Sequence, residues 1–264
     1  MEASSRAKAI CDGAWLRLNG VMRLSTPLLA AGLCVFSTRA AAKPPASEVC
    51  GQIIVVSYSG AVAASVTRTK AQALTRAQEL LQQAKHGDFA ALASANSDAP
   101  SSAPRGGIMG TFAKGDWPEL HAALKQPLFR LAVGQVASKP IDAPYGYVIL
   151  RRCPVEKAHA RHLLVRYAGA KNAKPEVTRT RAQASELAKQ ILSGIHSDAD
   201  LSAAIAKYSE DSSRERGGDI GSPGRGRLAL AFEKALFSLS IGQRSGVVET
   251  EFGFHIIQRL PDQP

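Results

Sequence analysis

The octapeptide VTRTKAQA at 66–73 returns as VTRTRAQA at 177–184, 111 positions later and with a single Lys/Arg exchange. GGIMG at 106–110 and GGDIG at 217–221 keep the same offset, and YGYVILRR at 145–152 is answered by FGFHIIQR at 252–259. Three matches in one order read as a duplicated domain. Solenoid repeats have periods of about 20 to 50 residues, so copies of this length can each be a globular unit with its own core. Two copies, at 48–153 and 157–261 with 43–47 as a linker, account for most of the 264 residues. With 45% hydrophobic and 21% charged residues the chain has the composition of folded protein.

The segment ahead of the first copy has a different character. From Met22, MRLSTPLLAAGLCVFSTRAAAKPP offers Arg23, an apolar run and Ala40-Ala41-Ala42, the layout of a secretory signal peptide over residues 1–42, with Met22 a second candidate start. The run is shorter than the roughly 20 apolar residues of a membrane-spanning helix, so no stable membrane insertion is expected after processing. The expected location is exported, periplasmic or cell-envelope. Lipid attachment at Cys34 is a lesser alternative, because bulky Leu33 stands where bacterial lipidation sites carry a small residue. Only Cys50 and Cys153 remain in the mature chain, bracketing the first copy, either as a disulfide or as two buried thiols.

The net charge of +11 comes from basic residues interspersed with acidic ones and few aromatics, so nucleic acid is not an expected partner. There is no CxxC, HExxH, GxSxG or GxxxxGK[ST], and neither metal nor organic cofactor is implied. In the second copy ARHLLVRY reads as a strand, and TRTRAQASELAKQILSGI as a Thr-capped amphipathic helix ending near Gly194. DADLSAAIAKYS is a shorter helix, GGDIG a turn, and LALAFEKALFSL a third helix carrying Leu228 and Phe232 at i, i+4. A short strand at SGVVE and a last strand at FGFHIIQRL complete an antiparallel α+β unit.

HLLVR, YSEDSS, RGGDIGSPGRG, FEKALFSL, IGQRSGVV and FGFHII, in that order and spacing, resemble the parvulin-type peptidyl-prolyl isomerases over essentially all of 158–260. The first copy resembles the same scaffold through TRTKAQA, GDFAALA, NSDAPSS, RGGIMGTFAKG and YGYVIL. The fold this implies is two tandem domains, each a small antiparallel four-stranded sheet surrounded by about four helices. The implied activity is rotation of X–Pro bonds in unfolded or extended polypeptides. Carried over position by position, the resemblance makes His162 and His255 a histidine pair facing each other across adjacent strands, with Asp211 beside the substrate carbonyl. It lines a proline slot with Ile220, Leu228 and Phe232, and puts Phe252 next to His255 where many relatives have a small hydroxyl residue. Arg166, Lys171 and Lys174 occupy the loop where phosphate-directed relatives keep a basic cluster. Scattered lysines lack the bidentate geometry of paired guanidinium groups, so at most a mild preference for an acidic residue before proline follows.

In the first copy Ile53 and Val148 stand at the histidine positions and Ala99 at that of Asp211, and extra residues in HAALKQPLF are expected to disturb the register of the Phe232 counterpart. That copy is expected to be non-catalytic, His121 to be structural, and Trp117 to help bind extended apolar peptide. The reading is an exported folding isomerase active in its second copy. The alternative is a periplasmic holdase or interaction module whose isomerase activity is incidental.

Overall fold

The threonine shared by the two octapeptides does the same work in both copies. In a computed structural model, which describes residues 47–262, Thr69 caps α1 (Lys70–His86) and Thr180 caps α4 (Arg181–Ser193). Each hydroxyl accepts from the backbone N–H of a glutamine three residues on, Gln72 or Gln183, whose side chain accepts from the capping threonine's own N–H. Such reciprocal capping satisfies two otherwise orphaned donors at a helix start.

Repeat 1 runs β1 (Glu48–Val56), α1, α2 (Phe89–Asn96), β2 (Ile108–Ala113), α3 (Ala122–Arg130), β3 (Ile141–Ala143) and β4 (Gly146–Cys153). Repeat 2 follows the same order with β5 (Ala160–Val165), α4, α5 (Asp198–Tyr208), α6 (Leu230–Ser238), β6 (Arg244–Thr250) and β7 (Gly253–Arg259). In both, the first strand pairs antiparallel with the last, and one face of the sheet is covered by the two helices that follow the first strand.

The sheets differ at one edge. Repeat 1 has four strands in the order β2-β1-β4-β3, whereas repeat 2 has three, β5-β7-β6, so the expected fourth strand is missing from the second copy. Its counterpart, GDIGSPG, meets β5 and the residues before it through scattered backbone bonds rather than a ladder: His162 N–H to Gly218 O, Ala160 N–H to Gly221 O, Ile220 N–H to Ala160 O and Ala158 N–H to Pro223 O. Pro223 has no N–H to continue the ladder.

The glycine turns are dictated by close approach. Gly107 (φ +83°) and Gly218 (φ +79°) leave no room for a Cβ, which would lie 2.5 Å from the Ile53 carbonyl oxygen and 2.3 Å from that of His162, respectively. Cys50 and Cys153 are opposite each other in β1 and β4, with Cα atoms 5.0 Å apart, and form a disulfide. Closing a loop of 103 residues this way stabilises repeat 1 by up to about 4–5 kcal/mol in the chain-entropy description.

Residues 1–42, read above as a signal peptide, with Met22 and Cys34, and nearly all of the linker lie outside the described residues. Among those described, no helix is long and apolar enough to cross a membrane.

Candidate active site

His162 lies on β5 and His255 on β7, the central strand of the sheet, in a register where His162 opposes Ile257 and His255 opposes Leu164. Both side chains point to the face covered by α6 rather than the face covered by α4 and α5. Their Nδ1 atoms are 3.1 Å apart. Phe232 of α6 sets its ring edge-on to both imidazoles, at centroid distances of 5.4 and 5.2 Å. All three residues are buried, at 6%, 4% and 4% exposure.

The pair is anchored at both ends. His162 Nε2 is 3.3 Å from Asp211 Oδ1, and His255 Nε2 is 2.8 Å from Thr250 Oγ1. Thr250, in the hairpin between β6 and β7, also accepts from the Phe252 N–H at 3.1 Å. Asp211 Oδ1 accepts from the backbone N–H and the hydroxyl of Ser213 at 2.9 and 2.6 Å.

The contacts form one proton chain. A carboxylate only accepts, so His162 carries a proton on Nε2; one proton lies between the facing Nδ1 atoms, and the Thr250 hydroxyl, able to donate or accept, complements His255 Nε2. One chain results, Asp211 to His162 to His255 to Thr250, with His255 a neutral imidazole. Burial, with lesser help from the neighbouring His162 and Arg166 charges and against the pull of Asp211, takes the His255 pKa down to about 3. The Asp211 carboxyl is held well below the usual carboxylate range by the hydrogen bond from His162 and, against the cost of burial, by those from Ser213.

Above this chain opens a cleft of 890 Å³. Ile220, Leu228, Phe232 and Phe252 form its apolar wall, and Arg166 and Lys174 its basic rim, alongside His162, Asp211 and His255. Lys171 is not among the lining residues and instead places Nζ 5.0 Å over the Phe252 ring. Leu228 also differs from expectation. The helix starts only at Leu230 with Ala229 as its cap, so Leu228 and Phe232 do not share a helical face; Leu228 reaches the slot from the turn that precedes the helix. Arg166 is committed within the fold, donating to the Glu210 carbonyl at 3.2 Å and the Lys171 carbonyl at 2.7 Å, while its own N–H donates to the Glu210 carboxylate.

The turn carrying Ile220 is held from behind. His159 bonds the Pro261 carbonyl through Nδ1 at 2.9 Å and the Asp219 carboxylate through Nε2 at 3.0 Å. Burial opposes charge on this imidazole, but the two acceptors prevail and raise its pKa. Neither Thr250 nor His159 was singled out from the sequence. Thr250 sits five residues before His255 on the neighbouring strand, a hairpin spacing that could have exposed it.

Repeat 1 has lost this chemistry position by position. Ile53 opposes Leu150 as His162 opposes Ile257, and Val148 opposes Val55 as His255 opposes Leu164. Ala99 replaces Asp211, and Ala143 replaces Thr250. α3 and α6 each have nine residues, so the extra residues of HAALKQPLF fall before the helix and Leu124 takes the place of Phe232 in register. Ile53, Val55, Leu124, Leu128, Ala143 and Val148 pack together as buried core. Trp117 is engaged too, packed between Phe112 and Phe129 with its Nε1 donating to the His121 carbonyl. His121 in turn bonds the Tyr145 hydroxyl at 2.8 Å.

Both repeats match a known protein family. Residues 54–153 and residues 149–261 each match a family model described as a PPIC-type PPIASE domain. The chaperone SurA of Methylobacillus flagellatus is 34% identical over 195 residues, 70% of this chain and 42% of that protein. A putative peptidyl-prolyl cis-trans isomerase of Drosophila melanogaster, dodo, is 37% identical over 109 residues, 39% of this chain and 66% of that protein. Among solved structures, the peptidyl-prolyl isomerase ESS1 from Candida albicans is 32% identical, with 40% of this chain and 63% of that one covered and a TM-score of 0.38. The chain spans about two fifths of the length of the SurA relatives it matches. Its two repeats are PPIC-type peptidyl-prolyl isomerase domains in tandem, and the chain belongs to the parvulin family.

Proposed function

We propose that repeat 2 catalyses cis–trans rotation of X–Pro bonds in unfolded polypeptides, and that repeat 1 is a non-catalytic partner domain. The observation that carries this reading is the Asp211–His162–His255–Thr250 chain beneath an apolar cleft, present in repeat 2 and replaced at all four positions in repeat 1.

The chemistry asked of such a site is modest. No bond breaks; the barrier of about 18–20 kcal/mol is the loss of amide resonance on twisting, so a catalyst need only hold the twisted amide better than either planar form. Phe232, Leu228 and Ile220 offer the proline ring an apolar seat. The substrate carbonyl, turning about the C–N bond, moves over a floor oriented by the hydrogen-bonded histidine pair. Asp211 anchors that pair, and as a fixed anion at the cleft it disfavours any competing charge arrangement around the amide.

Export fits the signal-like segment ahead of repeat 1 and the Cys50–Cys153 disulfide, which persists in oxidising compartments. The clients are then proline-containing segments of exported proteins. Arg166 is tied to Glu210 and Lys171, so discrimination between Glu-Pro and Ala-Pro is expected to be small. A second reading, client holding with incidental isomerisation, is favoured by the chaperone relatives.

The decisive experiment follows cis-to-trans conversion of Ala-Ala-Pro-Phe and Ala-Glu-Pro-Phe peptides with the full chain, His255→Ala and Thr250→Val. Removing one partner from a buried polar chain costs about 1–3 kcal/mol, so His255→Ala is expected to lower kcat/KM by roughly 5- to 160-fold, with Thr250→Val toward the low end. A full chain inactive on both peptides would transfer the reading to client holding.

A further inference from the structure

The wall of the proline slot is not built by repeat 2 alone. The segment Gly224–Leu228 leads into α6 and carries Leu228 to the cleft, and it is pressed against β2 of repeat 1. A Cβ on Gly226 (φ +82°) would lie 2.6 Å from the Gly110 Cα, and one on Gly224 would lie 2.7 Å from Thr111 Oγ1. From repeat 1, Arg105 extends into the same place. Its Nη2 donates to the Leu228 carbonyl at 2.7 Å, and its Nη1 lies 3.1 Å from Glu233 Oε2.

Glu233 is on α6, next to Phe232, with its side chain only 4% exposed, and the same carboxylate accepts the Gly226 N–H at 2.6 Å. A carboxylate buried this deeply needs a cation, and the available one belongs to the other repeat. The arrangement has one direction. Lys125 occupies the Glu233 position in repeat 1, while Arg216, the counterpart of Arg105, stays within its own turn beside the Asp219 carbonyl.

We infer that Arg105 of repeat 1 is a positioning residue for the proline slot of repeat 2, holding Leu228 and α6 at the spacing that seats the ring. The inference rests on the reading of repeat 2 as the peptide-binding, catalytic unit. A guanidinium hydrogen-bonds the Leu228 carbonyl through Nη2 while keeping its charge beside the Glu233 carboxylate at Nη1, two positions that the single ammonium of lysine does not fill at once. Repeat 1 thus contributes to the isomerase site without a catalytic group of its own.

The test uses the full chain in four forms: wild type, Arg105→Ala, Arg105→Lys, and Arg105→Met with Glu233→Met, which removes the buried charges together and keeps apolar volume. For each, isomerisation of Ala-Ala-Pro-Phe is resolved into kcat and KM, peptide affinity is read by NMR titration, and hydrogen exchange of β7 reports the fold. Arg105→Ala is expected to lower kcat/KM about tenfold, mostly through KM, with matching loss of peptide affinity, β7 protection retained and partial recovery in Arg105→Lys. The double variant is expected to keep its fold and still bind peptide weakly, because the Leu228 carbonyl remains untethered. Peptide affinity within twofold of wild type in both Arg105→Ala and the double variant overturns the inference. A wild type that binds peptide in an Arg105-dependent way without isomerising it upholds Arg105 and overturns the catalytic reading instead.

Discussion

Repeat 1 and repeat 2 agree down to single hydrogen bonds and differ in what those bonds support. The Val55 N–H donates to Ser97 Oγ at 3.0 Å, and the Leu164 N–H to Ser209 Oγ at 3.2 Å. The Asp98 N–H donates to the Val55 carbonyl and the Glu210 N–H to the Leu164 carbonyl, both at 2.9 Å. Arg68 pairs with Asp98 as Arg179 pairs with Glu210. Apart from the edge strand β2, the backbone scaffold is duplicated. The residues that face the cleft are not: four polar groups in repeat 2 become Ile53, Ala99, Ala143 and Val148, and the space closes as apolar core. A scaffold fixed by turns, caps and strand register tolerates a complete exchange of its site, because the two sets of demands fall on different atoms.

The strongest way to sharpen that comparison is to open the disulfide. Cys50→Ala with Cys153→Ala, or reduction, is expected to destabilise repeat 1 by up to about 4–5 kcal/mol. Hydrogen exchange should then show β1 and β4 losing protection while β5 and β7 change far less. Equal losses in both repeats would mean that they unfold as one unit.

Next comes an attempt to return chemistry to repeat 1. Ile53→His places an imidazole among Val55, Leu124 and Val148, and a polar group buried without a partner costs about 1–3 kcal/mol beyond the lost apolar packing. In a His255→Ala background the variant is expected to lower the melting temperature of repeat 1 and to restore no isomerase activity, even combined with Val148→His. Activity from that double variant would break the claim that repeat 1 lacks a cleft.

A smaller effect is expected from acid. An unfolded chain takes up a proton at His255 near pH 6.5, whereas the folded chain resists until about pH 3. The unfolded state then binds more protons, so repeat 2 loses up to about 1.4 kcal/mol per pH unit below 6.5. Asp211, with its folded pKa depressed, adds stability above its ordinary range that is lost as pH falls further. His159 acts in the opposite sense, its raised pKa giving stability that is full below pH 6.5 and lost on going alkaline. Urea unfolding followed at β7 amides between pH 5 and 7 checks the slope, which His255→Val should flatten. In repeat 1 His121 is shifted downward by burial but only partly enclosed, so β4 should respond more weakly.

Much of this was legible in the sequence because the informative signals are local. Octapeptide, glycine turns and strand pattern gave the paired strands and the three-helix order of each repeat, and the family resemblance at His162 and His255 gave the pair. The misreadings have a common cause. Periodicity ran the last helix back through Leu228, but the chain there is held by Gly226 against repeat 1. The missing edge strand turned on the single absent N–H of Pro223. Thr250 and the Arg105–Glu233 pair escaped notice because their meaning lies in partners on other strands or in the other repeat, which no local pattern encodes.

The disulfide has a mechanical consequence. It ties the strand on which the chain enters repeat 1 to the strand on which it leaves, so tension along the backbone crosses from Cys50 to Cys153 through sulfur and bypasses everything between. A chain pulled from its ends, as by a translocation or degradation machine, pays out repeat 2 while about 340–370 Å of contour stays locked in repeat 1 until the bond is reduced. The repeat that bears the cleft is the one such a machine can unravel, and the repeat that buttresses it is the one that survives the pull.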